Sequence, residues 1–495
     1  MNRAHIFITI FILIGLGFVL IASAQVTAVR TLPGEICLPG ERLKTIIEVI
    51  GDPGAIIIVE TPPAEWTIRA SSGGKLSDGV ITWSLETFDG AETLVYFVTS
   101  PSTATGEAVF SGVVDDQEIG GMSRMTAYEV PADVRLPQTT GPFAIGTFLA
   151  HLIDESRLEQ ITHEDPSDNR ELMVQVWYPA VIQDSRQPGS IYPEFDAVQP
   201  YLEAYYSSYG VPSVFCDGLR VPVGNAVRDA RVLDIGLQYP VLIFSHGNGG
   251  SRRQNVSLFE ELASCGYVVA SIDHTYNATV VQFPDGRVIP NRVSGSDSLH
   301  EQDVRFVLDE LEKINVGHDF EVFTGLLDLE RVGVFGMSLG GAVTTLTMQD
   351  DPRFKAGVVL DMEFRMINRG LDQPVMFLHD GNSPGDPSNL ESALRGGGYA
   401  CKIRGTAHID FTDLPILWKL FSLPGKYPVQ SEANDPVRVS RIIADYTLAF
   451  FDKILKGQHV PLLDCPSSDY PEVEFTIYGE PQGLSGISDE EWVLY

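Results

Sequence analysis

The pattern of apolar and polar positions divides the chain near residue 130. Between residues 28 and 130, short runs rich in Val, Ile, Thr and aromatic residues are separated by Gly, Pro, Asp and Ser. Runs of this length and spacing are typical of strands in an all-β fold, so we predict a small β-sandwich domain there. The predicted strands are 45–50, 55–60, 66–70, 80–85, 94–99 and 108–114.

Beyond a stretch without apolar period at 131–142, which we interpret as a linker, the pattern changes. Over 143–480, short apolar runs alternate with amphipathic helical patterns. This alternation predicts an α/β domain whose mostly parallel sheet is flanked by helices. The predicted strands are 172–178, 241–245, 268–273, 332–335, 357–361, 375–379 and 400–403, and the predicted helices are 255–265, 298–314, 339–348 and 436–455.

One long segment interrupts this alternation. Residues 181–238 lie between two predicted strands and are rich in Tyr and Pro. Long insertions within a compact domain are often lids or pocket walls. We therefore expect residues 181–238 to help shape a binding site.

The first 24 residues resemble a secretory signal. Arg3 precedes an apolar run over residues 6–20, and Ala-Ser-Ala follows at 22–24. A charged start, a short apolar core and small residues predict cleavage after Ala24 and export to the periplasm, the cell surface or the medium. The alternative is an uncleaved segment that anchors the protein in the membrane. After cleavage, no other apolar run is long enough to span a bilayer.

The net charge and the spacing of the cysteines limit the classes of ligand and partner that we expect. The net charge is −32, which disfavours nucleic acid and anionic lipid surfaces as electrostatic partners. The five cysteines are widely spaced, and no two of them have metal-ligand spacing. We expect neither a metal site nor an organic cofactor.

A nucleophile motif stands between a predicted strand and a predicted helix. Residues 336–340 read Gly-Met-Ser-Leu-Gly, the pattern of a sharp strand-to-helix turn that lifts a serine hydroxyl out of a sheet. A second match, at 381–385, places Pro384 after Ser383, and proline has no N–H to donate to an oxyanion. We therefore predict an α/β-hydrolase fold with Ser338 as the nucleophile.

A serine nucleophile needs a base and a carboxylate, which follow it in the order Ser, acid, His in this fold. His379, His408 and His459 are the histidines after Ser338. His379 falls inside a predicted strand and His459 lies in a polar tail, whereas His408 directly follows a late strand. We predict His408 as the base. By position alone, the acid is Asp361, Asp380 or Asp386.

The oxyanion hole needs two N–H donors. One is expected from the backbone of Leu339, directly after the nucleophile. The other is expected from Asn248, in the His-Gly-Asn-Gly-Gly run that follows the predicted strand 241–245. His246 precedes the nucleophile in the chain, so a structural role is expected for its side chain.

Several segments, in order along the chain, resemble the plasma and intracellular type II platelet-activating factor acetylhydrolases over about residues 140–473. They are Thr-Gly-Pro-Phe-Ala-Ile-Gly at 140–146, Arg-Glu-Leu-Met-Val-Gln-Val-Trp-Tyr-Pro at 170–179, Tyr-Pro-Val-Leu-Ile-Phe-Ser-His-Gly at 239–247, Asp-Val-Arg-Phe-Val-Leu-Asp at 303–309 and Gly-Met-Ser-Leu-Gly-Gly at 336–341.

The resemblance implies a calcium-independent serine esterase that removes short or oxidised sn-2 acyl chains from phospholipids. It also implies that the acid follows the strand after the nucleophile, which is the position of Asp361. His408 matches the family's base. Asn248 and Leu339 match its oxyanion donors, although the family's residue at the first of these positions is often apolar.

Two rival functions remain open at this stage. One is a broad carboxylesterase or polyester hydrolase without a preference for phospholipids, a choice that the insertion at 181–238 would decide. The other is a surface-binding protein whose hydrolase domain is inactive, which the additional β-domain suggests. A β-domain of this kind also suggests contact with the cell surface or envelope.

Overall fold

The computed structural model describes residues 26–484, except for short internal segments, and residues 1–25 with the predicted signal lie outside the described part. The undescribed internal residues are 34–35, 38–39, 41, 71, 102–105, 129–130, 132, 163–164, 166, 183–185, 193–194, 208–212, 318–322, 363–368, 381–389, 422–434 and 482. The chain forms two compact units, residues 1–129 and 130–495.

The first unit is built from β-strands. Its strands are β1 (Thr27–Thr31), β2 (Ile36–Cys37), β3 (Arg42–Ile50), β4 (Gly54–Thr61), β5 (Thr67–Ala70), β6 (Lys75–Ser77), β7 (Val80–Phe88), β8 (Ala91–Thr99), β9 (Gly106–Val109), β10 (Ser111–Val114), β11 (Gln117–Glu118), β12 (Gly120–Gly121) and β13 (Arg124–Ala127). They pair in the orders β12-β1-β3-β8-β5, β11-β10-β4-β7-β6 and β2-β13-β9.

A buried ion pair joins the two larger sheets of this unit. Arg30 on β1 donates two hydrogen bonds of 2.7 Å to Glu60 on β4, and the Tyr96 hydroxyl donates to the same carboxylate at 2.6 Å. Because all three side chains are buried, each needs the others to offset its desolvation. The apolar core around them includes Trp83.

The second unit contains one large mixed sheet and a small hairpin. Its strands are β14 (Ile145–Leu158), β15 (Asn169–Val181), β16 (Ala226–Arg228), β17 (Arg231–Val232), β18 (Tyr239–Ser245), β19 (Val268–Asp273), β20 (Val280–Gln282), β21 (Val288–Pro290), β22 (Leu327–Met337), β23 (Phe354–Leu360), β24 (Val375–His379), β25 (Gly398–Ile403) and β26 (Val473–Tyr478). The sheet order is β16-β14-β15-β19-β18-β22-β23-β24-β25-β26, with β17 paired to β15.

Six strands, β19, β18, β22, β23, β24 and β25, run parallel to one another in the middle of this sheet. The helices are α1 (Phe195–Ser207), α2 (Ser213–Gly218), α3 (Val256–Ser264), α4 (Asp297–Asn315), α5 (Leu339–Asp350), α6 (Leu390–Ala393), α7 (Leu414–Leu420) and α8 (Pro436–Leu455), with 3₁₀ turns at His408–Phe411 and Pro461–Leu463. The mixed sheet with helices fits an α/β-hydrolase.

Local prediction differs from the structure at several places. The predicted strand 108–114 is wrong as a single element, because the chain leaves one sheet at Phe110 and enters another. The long strand β14, which pairs antiparallel with the predicted strand β15, and the antiparallel edge strand β26 were not predicted. Their polar, alternating sequences lack the continuous apolar run that marks a buried parallel strand. No helix in the described ranges is long and apolar enough to cross a bilayer.

Candidate active site

Ser338 occupies a strained turn between β22 and α5. Its backbone has φ 54° and ψ −118°, a conformation that costs energy for a residue with a Cβ. Glycines on both sides make the turn sterically feasible: a Cβ on Gly336 would overlap the backbone of Gly340, and a Cβ on Gly340 would overlap the carbonyl of Ser245 at the end of β18. The Ser338 N–H donates to the carbonyl of Leu360 at 2.8 Å.

His408 and Asp361 meet beside this turn. Asp361 directly follows β23, and its Oδ2 lies 2.5 Å from His408 Nδ1. The other carboxylate oxygen accepts the backbone N–H of Asp380 at 2.8 Å. The Asp361 side chain is 1% exposed and that of His408 is 53% exposed. A buried carboxylate thus holds an imidazole that remains open to solvent, an arrangement that suits a general base.

The other candidates lie elsewhere. Asp380 donates its backbone N–H to Asp361, while Ser383 and Asp386 fall outside the described residues. His379 ends β24 half-buried, and burial lowers its pKa. His459 forms an exposed ion pair with Asp464 at 3.2 Å. In the described segments, no cluster of three or more His, Cys, Asp or Glu side chains is arranged to hold a metal ion.

Two backbone N–H groups near Ser338 are available as donors. A Cβ on Gly247 would lie 3.3 Å from Cβ of Ser338, so the loop after β18 adjoins the nucleophile. Within the described residues, neither the N–H of Asn248 nor that of Leu339 has an acceptor. The Gly247 N–H, by contrast, donates to Gln254 Oε1 at 2.9 Å. The loop that carries Asn248 therefore adjoins the turn that carries Ser338 and Leu339.

Ser338 and His408, which are both described, do not form a hydrogen bond to each other in the structure. Catalytic hydrogen bonds are often long in the absence of substrate and shorten when the complex forms.

A network of buried charges underlies the loop after β18. Arg170 on β15 donates to Asp303 on α4 at 2.7 Å, and His274 Nδ1 lies 2.9 Å from the same carboxylate. The other ring nitrogen of His274 lies 2.8 Å from the Ser245 hydroxyl. Burial alone would raise the pKa of Asp303, but Arg170 and His274 hold it well below its usual range. Asp303 is therefore a fixed negative charge beneath the loop.

His246 is buried and bonded through both ring nitrogens, to the Gly247 carbonyl and to the backbone N–H of His274. Burial, together with the neighbouring His274, lowers the pKa of His246 to about 4. The side chain is therefore neutral near pH 7 and supports the loop, in agreement with the structural role expected for it.

The insertion reaches the same region. Tyr205 on α1 packs on the loop, because a Cβ on Gly249 would lie 2.9 Å from its Cε2. Phe215 on α2 contacts Trp418 and Phe421, whose ring centroids lie 5.7 and 5.8 Å away and which belong to α7 and its end. Since α7 closely follows His408, the insertion packs both against the loop after β18 and against the segment that follows the imidazole. We call this loop, residues 246–250, the donor loop because it contains Asn248.

Three residues that hold the loop in place were not predicted from the sequence. Gln254, Asn277 and Thr279 bond to the loop after β18, and none belongs to a recognised motif. Asn277 and Thr279 follow the carboxyl end of the parallel strand β19, where functional residues collect in such sheets. Their position directly after this strand is the feature of the sequence from which a functional role could have been predicted.

Comparison with known proteins agrees with this chemistry. A solved structure of a ferulic acid esterase from Streptomyces cinnamoneus is 32% identical, with a TM-score of 0.57, over 70% of this chain and 99% of that chain. A probable 1-alkyl-2-acetylglycerophosphocholine esterase from Arthroderma benhamiae is 26% identical over 70% of this chain and 95% of that protein. The fold and these relatives define a carboxylic ester hydrolase, not a protein that only binds.

The family can also be named. The sequence model of platelet-activating factor acetylhydrolase, isoform II, matches residues 128–285 and 302–460, more than half of the chain. The platelet-activating factor acetylhydrolase of Cavia porcellus is 24% identical over 58% of this chain and 73% of that protein. The chain belongs to the isoform II platelet-activating factor acetylhydrolase family, which confirms the resemblance inferred from the sequence.

The close approach at Gly340 is testable. In Gly340→Ala the added methyl would gain about 1 kcal/mol of helix propensity. Overpacking against Ser245, however, costs about 1–3 kcal/mol and displaces the turn that carries Ser338. We expect a lower melting temperature and at least about a tenfold lower kcat, the effect of misplaced reacting groups. Gly189→Ala is the control, because a Cβ there meets nothing within 4 Å. Unchanged activity and stability in Gly340→Ala would contradict this account.

The neutral state of His246 predicts a pH dependence of stability. Between its ordinary pKa of 6.5 and its folded value of about 4, the unfolded chain binds a proton that the folded chain does not. The free energy of unfolding should therefore fall as the pH drops through this window. In His246→Asn the fall should be shallower by up to about 1.4 kcal/mol per pH unit. Urea unfolding from pH 4.5 to 7.5 measures both slopes, and equal slopes would refute the assignment.

Proposed function

We propose that this chain is an exported serine ester hydrolase in which Ser338 is the nucleophile, His408 the general base and Asp361 the carboxylate that orients the base. The principal support is the bond between His408 Nδ1 and the buried Asp361 carboxylate beside the strained turn of Ser338. A fixed carboxylate selects the tautomer that leaves Nε2 free to accept a proton.

In the proposed reaction, His408 takes the proton of the Ser338 hydroxyl as its oxygen attacks the ester carbonyl. The N–H groups of Asn248 and Leu339 donate to the oxyanion of the tetrahedral intermediate. Collapse breaks the ester bond, and the alcohol leaves with the proton from His408. Water, deprotonated by the same imidazole, then attacks the acyl-enzyme and releases the acid and Ser338.

We propose that the substrates are phospholipids with short or oxidised sn-2 acyl chains. Membership of the family and the names of the relatives support this choice. The pattern of residues 1–24 supports export, with the mature chain beginning at Gln25. The all-β unit would then contact the cell surface or envelope.

A second candidate is a broader carboxylesterase, including polyester or aromatic acyl substrates. The ferulic acid esterase, at 32% identity, supports it. In either case Tyr205, on α1 of the insertion, packs on the loop after β18, so its side chain would limit which acyl and alcohol groups enter.

The triad proposal predicts distinct losses. Ser338→Ala should abolish ester hydrolysis and labelling by a fluorophosphonate probe, because no nucleophile remains. Asp361→Asn should keep the fold but lower kcat by about 10⁴-fold, because the amide favours the wrong tautomer of His408. Rates with p-nitrophenyl acetate and melting curves measure both. His459→Ala, at the exposed ion pair, is the control. Residual hydrolysis or labelling in Ser338→Ala would refute the nucleophile.

The substrate proposal predicts a preference. With EDTA present, protein recovered from secreting cells should cleave a short-chain sn-2 phospholipid rapidly, and a long-chain one slowly. Methyl ferulate, a polyester film and p-nitrophenyl acetate serve as competing substrates, and N-terminal sequencing tests for Gln25. Cleavage of the other esters alone would favour the broader carboxylesterase while leaving the triad intact.

A further inference from the structure

The side chain of Asn248 is held by two donors. Its Oδ1 accepts from Asn277 Nδ2 at 2.9 Å and from the backbone N–H of Gly295 at 2.8 Å. The proposed mechanism uses only the backbone N–H of Asn248, so it leaves this amide side chain without a task. Both bonds instead tie the donor loop to residues that follow β19 and that precede α4.

The side-chain amide of Asn277 has a fixed orientation. Its residue is fully buried, and Nδ2 also donates to the Val293 carbonyl at 3.1 Å. Within the described residues, Oδ1 of Asn277 has no hydrogen-bond partner. A flipped amide would turn that oxygen toward two acceptors, which fixes the orientation. A buried amide oxygen without a partner is unfavourable, so the bonds made by Nδ2 must outweigh it.

The second proposed donor is linked to the same point. A Cβ on Gly295 would overlap the side chain of Leu339 and would lie 3.2 Å from Asn277 Nδ2. The bond from Gly295 to Asn248 therefore holds the segment 293–295 against Leu339. One amide pair thus connects the two residues whose N–H groups would bind the oxyanion.

A parallel set of bonds holds the rest of the loop. The N–H of Thr279 donates to the Gly250 carbonyl at 2.8 Å, and its hydroxyl donates to the Gly249 carbonyl. At the other end, the His274 N–H donates to His246 at 3.2 Å. Residues 274–279 therefore lie alongside residues 246–250. Within this segment Asn277 bonds to Asn248, the proposed donor residue.

We infer that the Asn248 side chain and Asn277 form an amide brace that sets the separation and direction of the two oxyanion donors. This inference rests on the proposed function. Oxyanion stabilisation depends on donors that are already in place when charge develops on the substrate oxygen. Loss of the brace would let the peptide of Asn248 turn and would release the segment over Leu339. Asn277 is thus a positioning residue that does not touch the substrate.

The test compares Asn277→Asp, Asn277→Ala and Asn248→Ala with the wild type. The aspartate variant keeps the shape but removes the Nδ2 donor and directs an oxygen at two acceptors. We expect kcat to fall about 10- to 100-fold, part of the loss caused by deleting a donor, with KM changed less than about twofold. In the double variant Asn248→Ala/Asn277→Ala, kcat should fall no further than in the more damaging single variant, because the two side chains act as a unit.

Asn315→Ala is the matched control. Asn315 makes two bonds to the Leu327 backbone, far along the chain from the loop, so its loss should lower the melting temperature without changing kcat. If the Asn277 variants behave like Asn315→Ala, or if only KM changes, the brace is refuted. If they fail to fold, Asn248→Ala decides, because that residue is exposed.

Labelling by a fluorophosphonate separates this inference from the proposed function. Brace variants should be labelled to completion but more slowly than the wild type, because the nucleophile is intact and the phosphoryl oxygen is poorly stabilised. Absence of labelling in the wild type would refute the serine mechanism itself. Labelling of the variants at the wild-type rate would refute the brace alone.

Discussion

The close approach of α5 to β18 is the constraint on which the site depends. Because Gly340 has no side chain, the first turn of α5 can lie against the Ser245 carbonyl. Ser338 consequently adopts a positive φ at the carboxyl end of the central strand β22, and the loop after β18 comes within contact of it. A strained turn persists only where its surroundings over-determine it. Here the surroundings are two glycines and a bond from Ser338 to the next strand.

Beneath the loop, burial of charge provides the rigidity. Arg170 and Asp303 are removed from water and pair with each other, and Glu159 and Arg157 are further partners of opposite charge. His274 also bonds to the Ser245 hydroxyl, which connects this network to the end of β18. Arg170 and Asp303 each begin a segment that carried the family resemblance. Their pairing supplies a physical reason for those segments to occur together in one chain.

Much of the fold was predictable, for a specific reason. The strands Val268–Asp273 and Val375–His379 were predicted to the residue because a strand buried on both faces needs a continuous apolar run. Strand β14, the antiparallel partner of the predicted strand β15, was not predicted, because its pairing is decided across the sheet. At the site, the order of residues favoured His408. It left Asp361, Asp380 and Asp386 open. The resemblance favoured Asp361, which bonds to His408 in the structure.

The sequence by itself determined the alternation of strands and helices, the glycine spacing around Ser338 and the family. These are local properties, since apolar period and turn chemistry act over a few residues. Only the tertiary structure decided that Asp361 holds His408, and that Asn277 reaches Asn248 across 29 positions of the chain. Such contacts join the ends of different strands, and their geometry follows from how the sheet twists and packs, which no local pattern encodes.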